Sequence, residues 1–486
     1  MSKLIQKTAR GTLWHGISQV VQAVSGYIVA VILARGLGPA NFGVYGLIYS
    51  FLMAVELVTI LGIPGAVSRL TAEGRDQNGT LRSTGLGLVA LLCLIAFGIL
   101  WLLAPELASW LGVPQSAGLI RIAVVDVPCF GVYFLISHVL NGRRDFAGQS
   151  VGITLYALTK VVGTAALTLI GLSIAGALIV NILASLVGLL CVTLRAGRPS
   201  FVLNRAALRP ILQLAAPVAW IALGTQLLSN MDLWFLGHAG VDIGAKTGGY
   251  YVAAKNLARI PNLIAFVMNS VLIPSIAHAI SADDPQSARR IIRGSMRFLS
   301  LTLLPGCALM AIEAAPLMSV LFRPEYSAGA RFLQLLVIAN GFLQTLCSTF
   351  ITILVATRRQ REGAVVALVA ILPAVLLNAA LVHWWGSMGA ALAAALSAAI
   401  AVTVAGFATY KHSGSFIELP VLAKVLLATA IVCIVANLLP SSGLALLLGD
   451  LLLMTLLFTG LCIGLGVLTR EDLLLLRGRA SDNRTV

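Results

Sequence analysis

The chain has 486 residues, 59% of them hydrophobic and only 10% charged, with a mean hydropathy of +0.97. An ordinary soluble domain carries roughly 25% charged residues, and no stretch here is polar enough to be one. The net charge of +15 does not point to nucleic acid, because the Lys and Arg residues sit in short clusters between apolar runs, as in the cytoplasmic loops of membrane proteins.

A membrane-spanning helix needs about 20 mostly apolar residues. The apolar runs predict an all-α membrane protein of about fourteen transmembrane helices. The first seven spans lie at roughly 12–34, 42–67, 84–104, 119–141, 150–171, 173–194 and 211–237. The other seven lie at roughly 250–277, 296–314, 331–356, 363–383, 387–410, 420–439 and 444–468. The first run is longer than a signal-peptide core and lacks a small-residue cleavage site, so it reads as a retained helix. With the N-terminus in the cytoplasm, 25 of the 33 Lys and Arg residues fall on the inner side, including Arg75, Arg143, Arg205, Arg290 and Arg359. Only Arg35, Arg121, Lys246, Arg323 and Arg331 fall outside. Every second loop is basic, so both termini are expected on the cytoplasmic side.

The chain also repeats itself. Pro105 returns as Pro316, Pro114 as Pro324, Arg143 as Arg358, Gly43 as Gly249 and Pro64 as Pro274, at offsets between 206 and 215 residues. Spans 1–6 and 7–12 therefore read as two copies of one unit. An even number of spans gives the copies the same orientation, with an axis along the membrane normal. The expected organisation is an N-terminal lobe (1–205), a C-terminal lobe (206–412), two extra helices (413–470) and a cytoplasmic tail (471–486).

A charge at bilayer depth is costly, so it faces an aqueous cavity or a partner. In span 8, Lys255 and Arg259 are four residues apart and share a face with Asn262 and Asn269. Lys160 sits near the middle of span 5, where cavity lining and a buried pair are both open. Span 1 carries His15, Gln19 and Gln22, and span 7 carries Gln226, Ser229 and Asn230 at corresponding places. These stripes suggest a wet cavity between the halves, or interhelical hydrogen bonding that serves packing. Glu56 shares a stripe with Tyr45, Tyr49 and Thr59. Glu56, Asp126 and Asp232 each read as an ion-coupling site or as the partner of Lys160 or Arg259, and Asp126 and Glu313 are near enough to the outer ends for solvation.

Seven cysteines lie in apolar runs without CxxC spacing, and the histidines lack metal spacing, so neither disulfide nor metal is expected. Residues 240–247, GVDIGAKT, miss a phosphate-binding loop by one residue, with Ala245 where glycine is needed. No cofactor is expected, and no loop is long enough to fold into a catalytic domain.

The stretch Leu33 to Leu47, LARGLGPANFGVYGL, resembles the first outer loop of bacterial oligosaccharide flippases. These are the O-antigen (Wzx-type) polysaccharide exporters of the multidrug/oligosaccharidyl-lipid/polysaccharide superfamily. Ala216-Pro217, Pro274 and Ser327-Ala328-Gly329 are similar too. The resemblance implies a V-shaped alternating-access carrier, not an enzyme, that moves undecaprenyl-diphosphate-linked oligosaccharide from the inner to the outer leaflet. Related lipid II flippases line their cavity with basic residues, which the resemblance carries onto Arg35 and the region of Lys255. The expected diphosphate site is then Lys255, Arg259, Lys160 and Arg35. Gln19, Gln22, Tyr49, Gln226, Asn230 and Asn262 would form the polar lining. Lipid II fits less well as cargo, because fewer cavity arginines can be placed here. The implied partners are a lipid-linked oligosaccharide, membrane lipids, a coupling ion (proton or sodium) and polysaccharide-assembly proteins. Two competing readings are a multidrug cation antiporter, which wants an acidic cavity, and a membrane ligase or polymerase, which needs a sizeable outer loop.

Overall fold

The computed structural model describes residues 2–60, 62–76, 78–239, 246–414, 419–438 and 443–467. Residues 240–245 of the near phosphate-loop stretch and the tail from 468 lie outside them. Among the described residues there are helices and turns and no strand. Lipid imposes this, because a helix satisfies its own backbone hydrogen bonds where no water is available.

The N-terminal half contains α1 (Ser2–Ile60), α2 (Ile63–Ala72), α3 (Thr80–Leu102), α4 (Ala104–Trp110), α5 (Ala117–Val124), α6 (Asp126–Gly142), α7 (Phe146–Ile170) and α8 (Ile174–Ala196). The C-terminal half contains α9 (Arg205–His238), α10 (Lys246–Ala258), α11 (Asn262–Ser281), α12 (Pro285–Ile312), α13 (Ala314–Leu321), α14 (Ala330–Leu336), α15 (Gln344–Ala356), α16 (Gln360–Val369) and α17 (Ile371–Ser413). Helices α18 (Leu419–Ala436) and α19 (Leu444–Gly464) follow. They pack with α12 around their own apolar core.

Helix starts carry polar caps where the chain turns. The side chains of Asp145, Ser173, Asn204 and Asp284 accept hydrogen bonds from backbone N–H groups at the starts of α7, α8, α9 and α12. Such caps satisfy donors that a helix start leaves free.

Among the described residues, twelve helical stretches are long and apolar enough to cross a membrane. Two of them, Trp14–Ile60 with 47 residues and Gln360–Ser413 with 54, far exceed one crossing. Each breaks at a glycine: Gly38 with φ 72° and Gly386 with φ 54°. Gly38 adopts a left-handed conformation that side chains disfavour, and Pro39 behind it withholds a backbone donor. Counting each broken stretch as two crossings would give the fourteen expected; by length and composition the number is twelve.

The two halves are built on one plan. In the first, α3 leads to short α4, a 3-10 turn at Pro114–Ser116, then α5 and α6. In the second, α12 leads to short α13, a 3-10 turn at Pro324–Gly329, then α14, a π-helical turn at Val337–Leu343, and α15. Each series closes at an arginine in the left-handed conformation, Arg144 (φ 60°) and Arg358 (φ 62°). The π-helical turn is the element that the second copy has and the first lacks.

Two of the basic turns meet at one end of the N-terminal half, where Arg143 donates to the Ala196 carbonyl and Arg195 pairs with Asp145 at 2.9 Å. At the opposite end the halves are stitched together. Arg35 donates to the carbonyls of Leu321 and Val320 at 2.9 and 2.7 Å, and the Tyr326 hydroxyl donates to the Ala34 carbonyl at 2.9 Å. Helices α1 and α10 run together there. A Cβ on Gly249 would stand 1.8 Å from the Pro39 carbonyl oxygen, so only glycine permits this approach.

Candidate functional site

Below this seam two cavities of about 700 and 460 Å³ adjoin. Gln22, Tyr27, Ser229 and Arg259 border both. The larger one runs along α11, α15 and α16 toward the basic end, past Asn269, Thr352 and Val366. The smaller one lies between α1, α7, α9 and α10.

The wall of the larger cavity is mostly apolar, with side chains such as Leu228, Phe266 and Ile351, and is interrupted by hydroxyls and by amides that include Gln19, Gln22, Asn262, Asn269, Asn340 and Gln344. Among the described residues Arg259 is the only formally charged side chain on its wall. Ser229 accepts from Gln344, and Thr345 donates to Asn262. Asn269 Oδ1 and Asn340 Nδ2 have no hydrogen-bond partner within the protein. Asn340 sits in the π-helical turn; such turns are enriched at functional sites because the extra residue re-aims a side chain.

Arg259 stands at the junction. One amino group of its guanidinium donates to the Ser229 carbonyl at 2.7 Å and to Asn230 Oδ1 at 3.0 Å. No carboxylate among the described residues forms a salt bridge with it. Glu56, weighed as its partner, lines the smaller cavity that Arg259 also borders, without a salt bridge to it. The guanidinium is held by neutral oxygens, which leaves its charge available to an anion.

Lys255 is different. It donates to Asp232 in a salt bridge whose side chains are 5% and 3% exposed. The second Asp232 oxygen accepts from the Tyr251 hydroxyl at 2.5 Å. Although Lys255 reaches the wall of the smaller cavity, its charge is already matched. Asp232 is thus the partner of Lys255, a pairing across two helices that neither helix's own periodicity reveals.

Lys160 borders the smaller cavity, and its ammonium donates to the hydroxyls of Tyr49 at 2.9 Å and Tyr156 at 3.4 Å. Tyr49, Gln226, Asn230 and Glu56 border the same cavity. Arg35 borders neither: it is exposed, and its side chain serves the seam. Its expected place beside a diphosphate is not the place it holds in this structure. Asp126 and Glu313 are buried, so solvation at the outer ends does not describe them. The missed lining came from Asn340, Gln344, Ser348 and Ser397. Asn340, Gln344 and Ser348 recur four residues apart, a stripe like those of spans 1 and 7, whereas Ser397 is isolated in an alanine-rich run.

Paired halves, a seam at one end and a partly polar cavity inside the spans define a polytopic membrane transport protein. The model of the polysaccharide biosynthesis protein family matches residues 8–280, and the chain belongs to that family. It is 27% identical over 409 residues to the succinoglycan biosynthesis transport protein ExoT of Rhizobium meliloti (strain 1021), covering 82% of this chain and 78% of that one. A probable low-salt glycan biosynthesis flippase, Agl15 of Haloferax volcanii, is 22% identical over 397 residues, 81% of each chain. Among solved structures, a lipid II flippase, MurJ, in an inward closed conformation superposes with a TM-score of 0.77 at 16% identity, over 92% of this chain and 98% of that one. An inward-facing multidrug transporter of the MATE family gives 0.64 at 15%, over 80% and 95%. At such identities the structural likeness speaks for the fold.

Proposed function

We propose that this chain flips a polyprenyl-diphosphate-linked oligosaccharide from the inner to the outer leaflet of a bacterial cytoplasmic membrane. Both termini would be cytoplasmic, with the basic turns facing the cytoplasm. The observation that carries the reading is Arg259: a cation without a carboxylate partner, at the junction of two cavities, on a wall interrupted by amides and hydroxyls. A diphosphate needs such a cation, and sugars need neutral hydrogen-bonding groups. Lys160 supplies a second cation on the other side of the junction. The amides of Gln19, Gln22, Asn262, Asn269 and Asn340 would receive the sugar hydroxyls, and the lipid tail would stay in the bilayer. The relatives named for succinoglycan and glycan biosynthesis support a glycan cargo. A cationic drug would require an unpaired acid; the larger cavity offers none among the described residues, and Glu56, the acid of the smaller one, shares its wall with Lys160.

The division into lobes at 1–205 and 206–412, with 413–470 as extra helices, belongs to the same reading. Rocking of the lobes about the seam would expose the cavity to either side in turn.

The test is glycan export in cells whose own flippase has been removed. Arg259→Ala is expected to abolish export at an unchanged amount of protein in the membrane. Arg259→Lys is expected to restore only part of it, since an ammonium is a point charge where a guanidinium is a planar fork. Normal export by Arg259→Ala would exclude this site.

A further inference from the structure

Two carboxyls lie against each other inside the N-terminal half. Glu56 of α1 is 5% exposed, and Asp126, the first residue of α6, is 0% exposed. They are within hydrogen-bonding reach of one another. Glu56 Oε1 and Asp126 Oδ1 nevertheless find no donor. Two buried acceptors facing one another repel when both groups are ionised. One proton between them replaces that repulsion with a hydrogen bond.

The neighbours sharpen the point. Asn181 of α8, 3% exposed, donates its amide to Asp126 Oδ2, while its own Oδ1 is unpartnered. Ser185, fully buried one turn further on, stands beside Asp126 without a well-aligned hydrogen bond. The titratable groups turned toward the pair are Tyr45 and Tyr49 of α1, Cys93 of α3, Cys129 of α6, and Tyr156 and Lys160 of α7. Only Lys160 is a cation, and its ammonium donates to tyrosine hydroxyls and to neither carboxyl. Two carboxylates and one ammonium leave one negative charge over, which a single proton cancels.

We propose that Glu56 and Asp126 hold one shared proton, and that this pair is a proton-binding site whose charge is felt in the smaller cavity through Glu56. Glu56 borders that cavity together with Lys160. When the proton is bound, the pair carries one negative charge and balances Lys160. When it leaves, one negative charge is left over beside the cavity. The assignment concerns the occupant of the pair and stands whichever cargo the cavities carry.

The experiment is infrared difference spectroscopy of the full-length protein in lipid nanodiscs, between acidic and alkaline buffers, first in choline chloride and then in sodium chloride. A protonated-carboxyl band is expected that bleaches on alkalinisation, is indifferent to sodium, and is lost in both Glu56→Gln and Asp126→Asn. Absence of the band, or its survival in both variants, would overturn the proposal. A band erased by sodium at constant pH would also overturn it and make the pair a sodium site. Lys160→Met leaves both carboxyls in place and guards against variants that do not fold. Removing a nearby positive charge is expected to move the bleaching to higher pH by about 1 unit or more; an unmoved titration would refute the link to Lys160.

Discussion

Lys255 and Asp232 show how a buried charge is held in this chain. Desolvating two charges costs several kcal/mol, and the ion pair with its added Tyr251 hydrogen bond offsets that cost. Removing one partner strands the other. Asp232→Asn is therefore expected to destabilise the protein by about 3–5 kcal/mol. The double change of Asp232→Asn with Lys255→Met is expected to recover most of the loss. The temperature at which the purified protein leaves its monodisperse gel-filtration peak measures both. Outside the spans, hydrogen bonds from Ser287 hold the Asp284 carboxyl below its usual range. A depressed carboxyl contributes stability above its unfolded value and loses it as pH falls through its folded value, so this cap weakens only in acid. At this scale the polar residues themselves could be read in the chain, because each is conspicuous in an apolar run. Their partners could not. Asp232 meets Lys255, and Asn181 meets Asp126 over 55 residues, by virtue of helix packing that no periodicity encodes. The resemblance alone places Arg35 beside a phosphate; its acceptors in the structure, two main-chain carbonyls, leave no signature in side-chain chemistry.

Among the elements, the α1–α10 seam depends on glycine. Gly249 lets the Pro39 carbonyl approach to a distance that a methyl group would occupy, and a Cβ at Gly46 would stand 2.4 Å from Val252 Cγ1. The side chain of Val252 can yield, whereas the backbone at Pro39 cannot. Gly249→Ala is therefore expected to prise the seam apart, and Gly46→Ala to do so less. Spin labels at Glu106→Cys and Arg323→Cys, one in each half, are expected to move apart in the first variant and to stay close to their original separation in the second. The break in α1 was legible, since Gly38 and Pro39 together rarely continue a helix. The π-helical turn at Val337–Leu343 was not. It has neither proline nor a charge, and its polar residue, Asn340, stands four residues before Gln344 as it would in an unbroken α-helix.

For the whole molecule, the alternation of basic loops and the repeat at offsets of 206–215 residues gave the plan that the helices follow. The joined cavities are legible where polar residues recur at helical spacing, on α1, α9 and α10 and, through Asn340, Gln344 and Ser348, on α15 and the turn before it. The orientation proposed for the molecule can be tested directly. Single cysteines replacing Arg75, Arg143, Arg205, Arg290 and Arg359, in a background without the seven native cysteines, are expected to resist an impermeant thiol reagent in intact cells. Ready labelling at two or more of these sites would reverse or redraw the topology.

The acceptors used by Arg35 and Tyr326 are backbone carbonyls of Ala34, Val320 and Leu321, which carry no proton that the surrounding medium can add or remove. On the proposed topology this clasp faces the outside. A closure built from carboxylates would loosen as the medium acidified, at the moment when the inward proton gradient is steepest. One built from the main chain does not, so the barrier against leakage is expected to be as tight in acid as at neutral pH. Proton flux into liposomes containing the protein, measured across an imposed gradient at both values, would show whether Arg35→Ala alone removes that indifference.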